Sequence, residues 1–249
     1  MIRIFLYLLV LTSFLACKKN ETHLAKITGK QILISDSLQA DSSINAYIKP
    51  YKENIDKQMD SVLAYSPKSI SKTDSKYNTA IGNMMADAVL ELSNPIFKSR
   101  TKRNIDAVIL NHGGIRSVLR EGPVTMRSAY EIMPFENSIV VVEISGKEVN
   151  NMFEYLKRGT AHPIAGMQLI LNDAGEIKKA TIQGKPIDEH KTYFIATNDY
   201  LQQGGDHMDF LKNPVSILPL DYKIRNLLID YFAKNDTINP VRDDRFIKQ

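Results

Sequence analysis

Apolar and polar positions divide the chain into stretches of different character. Residues 4–15 form a mainly apolar run, and residues 18–43 are polar and aperiodic apart from Gln31-Ile32-Leu33-Ile34-Ser35, which reads as a short strand. Ile44, Ile48, Tyr51, Ile55, Met59, Val62 and Leu63 then recur at helical spacing, with Pro50 in the first turn or at a kink. Ile81, Met84, Met85, Ala88, Val89 and Leu92 predict a second helix, ending before Asn94-Pro95.

The continuous run 105–110 predicts a buried strand that delivers the loop Asn111-His112-Gly113-Gly114. Residues 138–144 predict another strand. Ser145 with Glu148 three positions on forms a capping box for a helix whose inner face is Val149, Met152, Phe153 and Leu156. Strands follow at 167–171, 179–182 and 193–197, and residues 221–234 predict a closing helix. Helices and strands mix without regular βαβ alternation, which implies an α+β architecture.

Composition narrows the class. At 249 residues, with 43% apolar and 24% charged content, the chain is of ordinary globular make-up. A formal charge of +4 is too small to argue for nucleic acid as a partner. Cys17 is the sole cysteine, so neither an intrachain disulfide nor a cysteine-based zinc cluster is available.

Residues 1–17 combine Arg3, a short apolar run and Ala16 immediately before Cys17, the pattern of an export signal. It resembles a bacterial lipoprotein signal, which implies acylation of Cys17 and a lipid anchor on the exported, periplasmic or outer-surface side of a bacterial membrane. A plain secretory signal with an incidental cysteine is the alternative. The resulting division is a signal over residues 1–17, a polar spacer over 18–43 and a recognition domain over 44–249.

Three segments set aromatic or ionic side chains beside glycines or turns: Asn111-His112-Gly113-Gly114-Ile115-Arg116, Met133-Pro134-Phe135-Glu136-Asn137, and Thr197-Asn198-Asp199-Tyr200-Leu201-Gln202-Gln203-Gly204-Gly205-Asp206. Taken singly, Phe135 and Tyr200 read as core aromatics; with glycine loops beside both they read as a ligand platform. An arginine such as Arg116 suits a phosphate or carboxylate through its planar fork, or closes its own loop by an ion pair.

In this order and spacing, with Arg116 nineteen residues before Phe135, the segments resemble the C-terminal domain of the 5′-nucleotidase and UDP-sugar hydrolase family. The helix Gly82-Asn83-Met84-Met85-Ala86-Asp87-Ala88 resembles it as well. The resemblance implies a layered α/β/β/α domain with mixed sheets. It also implies that Phe135 and Tyr200 sandwich a nucleobase, a contact worth roughly 1–3 kcal/mol and tolerant of base identity. Arg116 would face phosphate or ribose, Asn111 would contact substrate, Asn137 would bond the base and Asp206 the ribose hydroxyls. Gly113, Gly114, Gly204 and Gly205 would supply close backbone. Two positions depart from the family pattern. Lys76 stands near where an arginine is common, as a point charge without the fork, and His207 follows Gly-Gly-Asp where glycine is usual.

Hydrolysis in that family belongs to a separate domain holding two metal ions. The histidines here are His23, His112, His162, His190 and His207, and none sits in the family's metal motifs. Asp188-Glu189-His190 matches one motif by letter only, and Asp206-His207-Met208-Asp209 reads as a solvated loop. The chain is therefore expected to hold no catalytic residues, no metal and no cofactor, and to be inactive alone. Its expected role is the nucleotide-binding subunit of a split 5′-nucleotidase in nucleotide catabolism, serving a separately encoded metallophosphatase. The competing reading is a lipid-anchored nucleoside- or nucleotide-binding module for uptake or sensing, without hydrolysis.

Overall fold

The computed structural model describes residues 23–249; the predicted export signal and Cys17 lie outside them. By internal contact the chain divides between Ile48 and Lys49. In the first unit, residues 23–41 carry no helix or strand, so the strand expected at 31–35 does not form. Its Ile32, Leu33 and Ile34 side chains stay exposed, with no neighbouring strand to satisfy the backbone.

Helix α1 (Ser42–Met59) begins where Asp41 Oδ1 accepts from the amides of Ser43 at 2.8 Å and Ile44 at 3.1 Å. Pro50 lies in its interior rather than its first turn, and none of its residues is buried, so its apolar row packs into no core. Strand β1 (Val62–Ser66) follows. Helix α2 (Ala80–Thr101) starts at Thr79, whose side chain accepts from the Gly82 amide. It runs through Pro95 instead of stopping before it. Buried Phe97 anchors the last turns and the left-handed Lys102 closes them, which offsets the amide that proline lacks.

Strand β2 (Ala107–Ile109) leads into a single 3₁₀ turn at His112–Gly114. Next come β3 (Gly122–Thr125), α3 (Met126–Ile132) and β4 (Ser138–Ser145). Ser145 caps α4 (Gly146–Leu156) by accepting from the Glu148 amide. The reciprocal half of the expected box is diverted, because the Glu148 carboxylate accepts from Asn151 at 3.0 Å. After these come β5 (Ile164–Ala165), β6 (Met167–Leu171), β7 (Ile177–Ile182), β8 (Lys185–Pro186) and β9 (Thr192–Asn198). A one-turn helix α5 (Asp199–Gln202) leads towards β10 (Ser216–Lys223), α6 (Ile224–Lys234) and β11 (Phe246–Lys248). The expected closing helix thus gives its first three residues to β10.

Three sheets result: β1-β3, the five-stranded β10-β4-β9-β2-β5, and β11-β6-β7-β8. Alternation across the five-stranded sheet builds two cores. Val108, Ile139, Val141 and Ala196 face α2 and α6, packing with Met84, Val89, Leu227 and Phe232. Ala107, Ile109, Val140, Val142 and Ile195 join Met152 and Phe153 of α4, Leu169 of β6 and Phe246 of β11. The architecture is α+β, with helices on one face of the central sheet and the smaller sheet and α4 on the other.

The central strands fix where loops emerge. β2 runs parallel to β9, while β4 runs antiparallel to β9 with Ile139 opposite Asn198. The C-terminal ends of β2 and β9 and the N-terminal end of β4 therefore share one end of the sheet. The three motif segments lie there.

Candidate functional site

At that end Asn111, Gly113, Gly114, Arg116, Met133, Phe135, Asn137, Tyr200 and Asp206 line a cleft of about 340 Å³. Eight of them are predicted site residues, and Met133 is an addition that forms buried apolar floor. Phe135 and Tyr200 are 42% and 47% exposed, which separates them from core aromatics and leaves ring surface for a ligand.

The three loops are fastened to the fold and to one another. The Arg116 amide donates to Ile132 O at 2.9 Å, and its guanidinium lies 5.8 Å from the Phe135 ring centroid. Arg116 also donates to Gly113 O at 3.3 Å, which orients the fork without consuming it in an ion pair. The Phe135 loop is tied to α6 through Glu136, which pairs with Lys223 and Arg225. These two cations, Lys223 first, hold the Glu136 carboxyl down to about 2. Arg225 donates in addition to Pro134 O and stacks 4.2 Å from the centroid of Tyr130.

Asp206 is the hub of the third loop. Asn111 Nδ2 donates to its Oδ2 at 2.8 Å, and the Tyr200 hydroxyl to its Oδ1 at 3.0 Å. Tyr155 of α4 donates to the Asp206 carbonyl at 2.9 Å. Gly204 and Gly205, predicted to supply close backbone, do not line the cleft. A Cβ on Gly205 would collide with the Tyr200 ring, and Gly204 turns the chain at φ 91°. His207, where the family pattern has glycine, adopts a left-handed φ of 59°. The loop thus keeps a backbone that glycine takes without strain.

Lys72 is a cation close enough to Arg116 to feel its charge. Lys72 Nζ donates to Ile115 O at 2.6 Å, and burial followed by the Arg116 charge pulls its pKa down. Lys76 instead sits over Tyr77, 5.3 Å from its centroid. Beneath the Asn111 loop, His162 Nδ1 accepts from the His112 amide at 3.2 Å. Burial, then the neighbouring His112, pushes its pKa down to about 4, against the pull of Asp206. Lys72, Tyr155 and His162 lie outside the three motifs, and no period or spacing in the sequence marks them.

Among the described residues no three His, Cys, Asp or Glu side chains gather to hold a metal ion. Asp188 pairs with Lys191 at 3.3 Å and accepts from the His190 amide, while Glu189 accepts from Asn150 at 2.7 Å. These acids serve hydrogen bonds in a turn and do not form the donor set that a metal requires.

The family described as 5′-nucleotidase, C-terminal domain matches residues 61–213. The chain belongs to this family. Among its relatives, the protein UshA of Yersinia enterocolitica is 21% identical over 229 residues, covering 89% of this chain and 40% of the relative. A 5′-nucleotidase of Vibrio cholerae is 21% identical over 221 residues, or 84% of this chain and 37% of that one. The chain spans about two-fifths of the length of these relatives. The crystal structure of a 5′-nucleotidase precursor from Thermus thermophilus shares the fold, with a TM-score of 0.68 at 20% identity over 83% of this chain and 42% of that one.

Proposed function

We propose that this 5′-nucleotidase C-terminal domain binds a nucleotide and presents it to a separately encoded metallophosphatase. Phe135 and Tyr200 take the base between them, Asn137 bonds its edge, and Asp206 with Asn111 takes the ribose. Arg116 and Lys72 face the phosphate, a fork and a point charge together. The observation that supports this most is a cleft in which two half-exposed rings stand beside a carboxylate and a guanidinium that, among the described residues, forms no ion pair. Relatives bearing the name 5′-nucleotidase supply the reaction class.

On this reading the chain binds but does not turn over, and acylated Cys17 holds it on the exported, periplasmic or outer-surface side of a bacterial membrane. The test is phosphate release from AMP with divalent metal present. The chain alone should release none, and a metallophosphatase that co-purifies with it should restore release. Robust turnover by the chain alone contradicts the reading. Nucleotide binding without any associating phosphatase favours a capture module instead.

A further inference from the structure

The hydroxyl of Tyr200 is not needed to stack a base, yet it is committed to a specific bond. It donates to Asp206 Oδ1 at 3.0 Å and also receives the Asp206 amide at 3.3 Å. The ring therefore closes a loop with the carboxylate six positions on. Gly205 makes that approach possible, since any side chain there would displace the ring. Asp206 itself sits at φ 51° and ψ 26°, a left-handed conformation that costs a non-glycine residue about 1–2 kcal/mol. Two tyrosines offset that cost: Tyr200 from the cleft side, and Tyr155, whose hydroxyl holds the Asp206 carbonyl at 2.9 Å, from α4. Strain held in this way at a cleft is a mark of pre-organisation.

The acceptor count leaves room for the ribose hydroxyls that the proposed function places at Asp206. A carboxylate has about four acceptor positions, two on each oxygen. One on Oδ2 is used by Asn111 and one on Oδ1 by Tyr200. One further position remains on each oxygen, and Asp206 lines the cleft. Two acceptors on adjacent oxygens match two hydroxyl donors on adjacent carbons.

We propose that the Tyr200 hydroxyl is a positioning group: by fixing the Asp206 carboxylate it sharpens the preference for the ribose hydroxyls that the proposed function already places there. The inference rests on the nucleotide reading of the cleft. Tyr200 thereby has two separable roles, its ring towards the base and its hydroxyl towards the sugar through Asp206. A removed hydroxyl leaves the ring but leaves the carboxylate held by Asn111 alone.

Calorimetric titration of the purified chain with adenosine and with 2′,3′-dideoxyadenosine tests it through the ratio of the two dissociation constants. The wild type should prefer adenosine by about tenfold or more, as hydrogen bonds to a charged acceptor imply. Tyr200→Phe should reduce that preference about three- to tenfold, a change that a loss of packing alone would not produce because both ligands share the base. Tyr155→Phe, which releases the Asp206 carbonyl from the opposite side, should lower the same ratio. A wild-type preference carried unchanged by Tyr200→Phe overturns the inference while leaving the nucleotide reading intact. Failure of the wild type to bind either nucleoside overturns the nucleotide reading itself.

Discussion

Asn111 and Asp206 stand 95 positions apart and are joined by a single bond, Asn111 Nδ2 to Asp206 Oδ2 at 2.8 Å. That bond closes the first loop of the cleft onto the third. Asn111→Ala leaves one carboxylate oxygen without its donor, and the expected loss in adenosine affinity is about 1–2 kcal/mol, roughly five- to thirtyfold. Calorimetry on the variant checks this; unchanged affinity would mean that the carboxylate is held by Tyr200 alone.

Gly205 gives a second prediction. Alanine there drives a Cβ into the Tyr200 ring. The ring must turn away, which removes one face of the base platform, a contact of roughly 1–3 kcal/mol. Gly205→Ala should therefore weaken adenosine binding by about tenfold or more. Retention of wild-type affinity would show that the ring is free to shift without leaving the ligand.

Lys72 separates phosphate from nucleoside. If it and Arg116 face the phosphate, Lys72→Ala should narrow the preference for AMP over adenosine by about threefold to tenfold, and raised salt should narrow it in the wild type as well. Adenosine affinity is the internal reference. A variant that loses adenosine and AMP in equal proportion has lost loop structure through the Ile115 carbonyl, and the phosphate role fails.

His162 predicts a pH dependence of stability. Its folded pKa, down at about 4, lies below the ordinary histidine value of 6.5. Between those values the unfolded chain takes up a proton that the folded chain refuses, so stability is full above pH 6.5 and falls as pH drops towards 4. The shift corresponds to at most about 3 kcal/mol. Urea midpoints of the wild type should fall between pH 7 and pH 4.5, and His162→Gln, which keeps an acceptor for the His112 amide, should flatten that slope. The Glu136 carboxyl, held down to about 2 from an ordinary 4.5, contributes its loss as pH falls from 4.5 towards 2, below the range of this comparison. An identical slope in the variant would assign the effect elsewhere.

Much of the cleft was legible in the sequence because three short segments carry their own punctuation. Each borders a predicted strand and sets glycine or proline beside an aromatic or ionic residue, and the sheet then brings those strand ends together. What escaped notice lacks such marks. Lys72 lies in a polar stretch without period. Tyr155 sits on a helix whose visible signal is the inward row of Met152, Phe153 and Leu156. Strand β10 contains Pro219 and a left-handed Asp221, and it is tolerated because it is an edge strand paired only with β4. Helix α2 passes Pro95 because burial of Phe97 outweighs the local stop signal. Tertiary packing, invisible to periodicity, decided each of these.

The central claim is that the cleft stacks a nucleobase between Phe135 and Tyr200. Isothermal titration of the purified chain with adenosine tests it most directly, with Phe135→Ala and Tyr200→Ala measured alongside. Saturable one-site binding by the wild type, weakened about tenfold or more in each variant, is the predicted result. Absence of wild-type binding, or variants that bind as the wild type does, would contradict it.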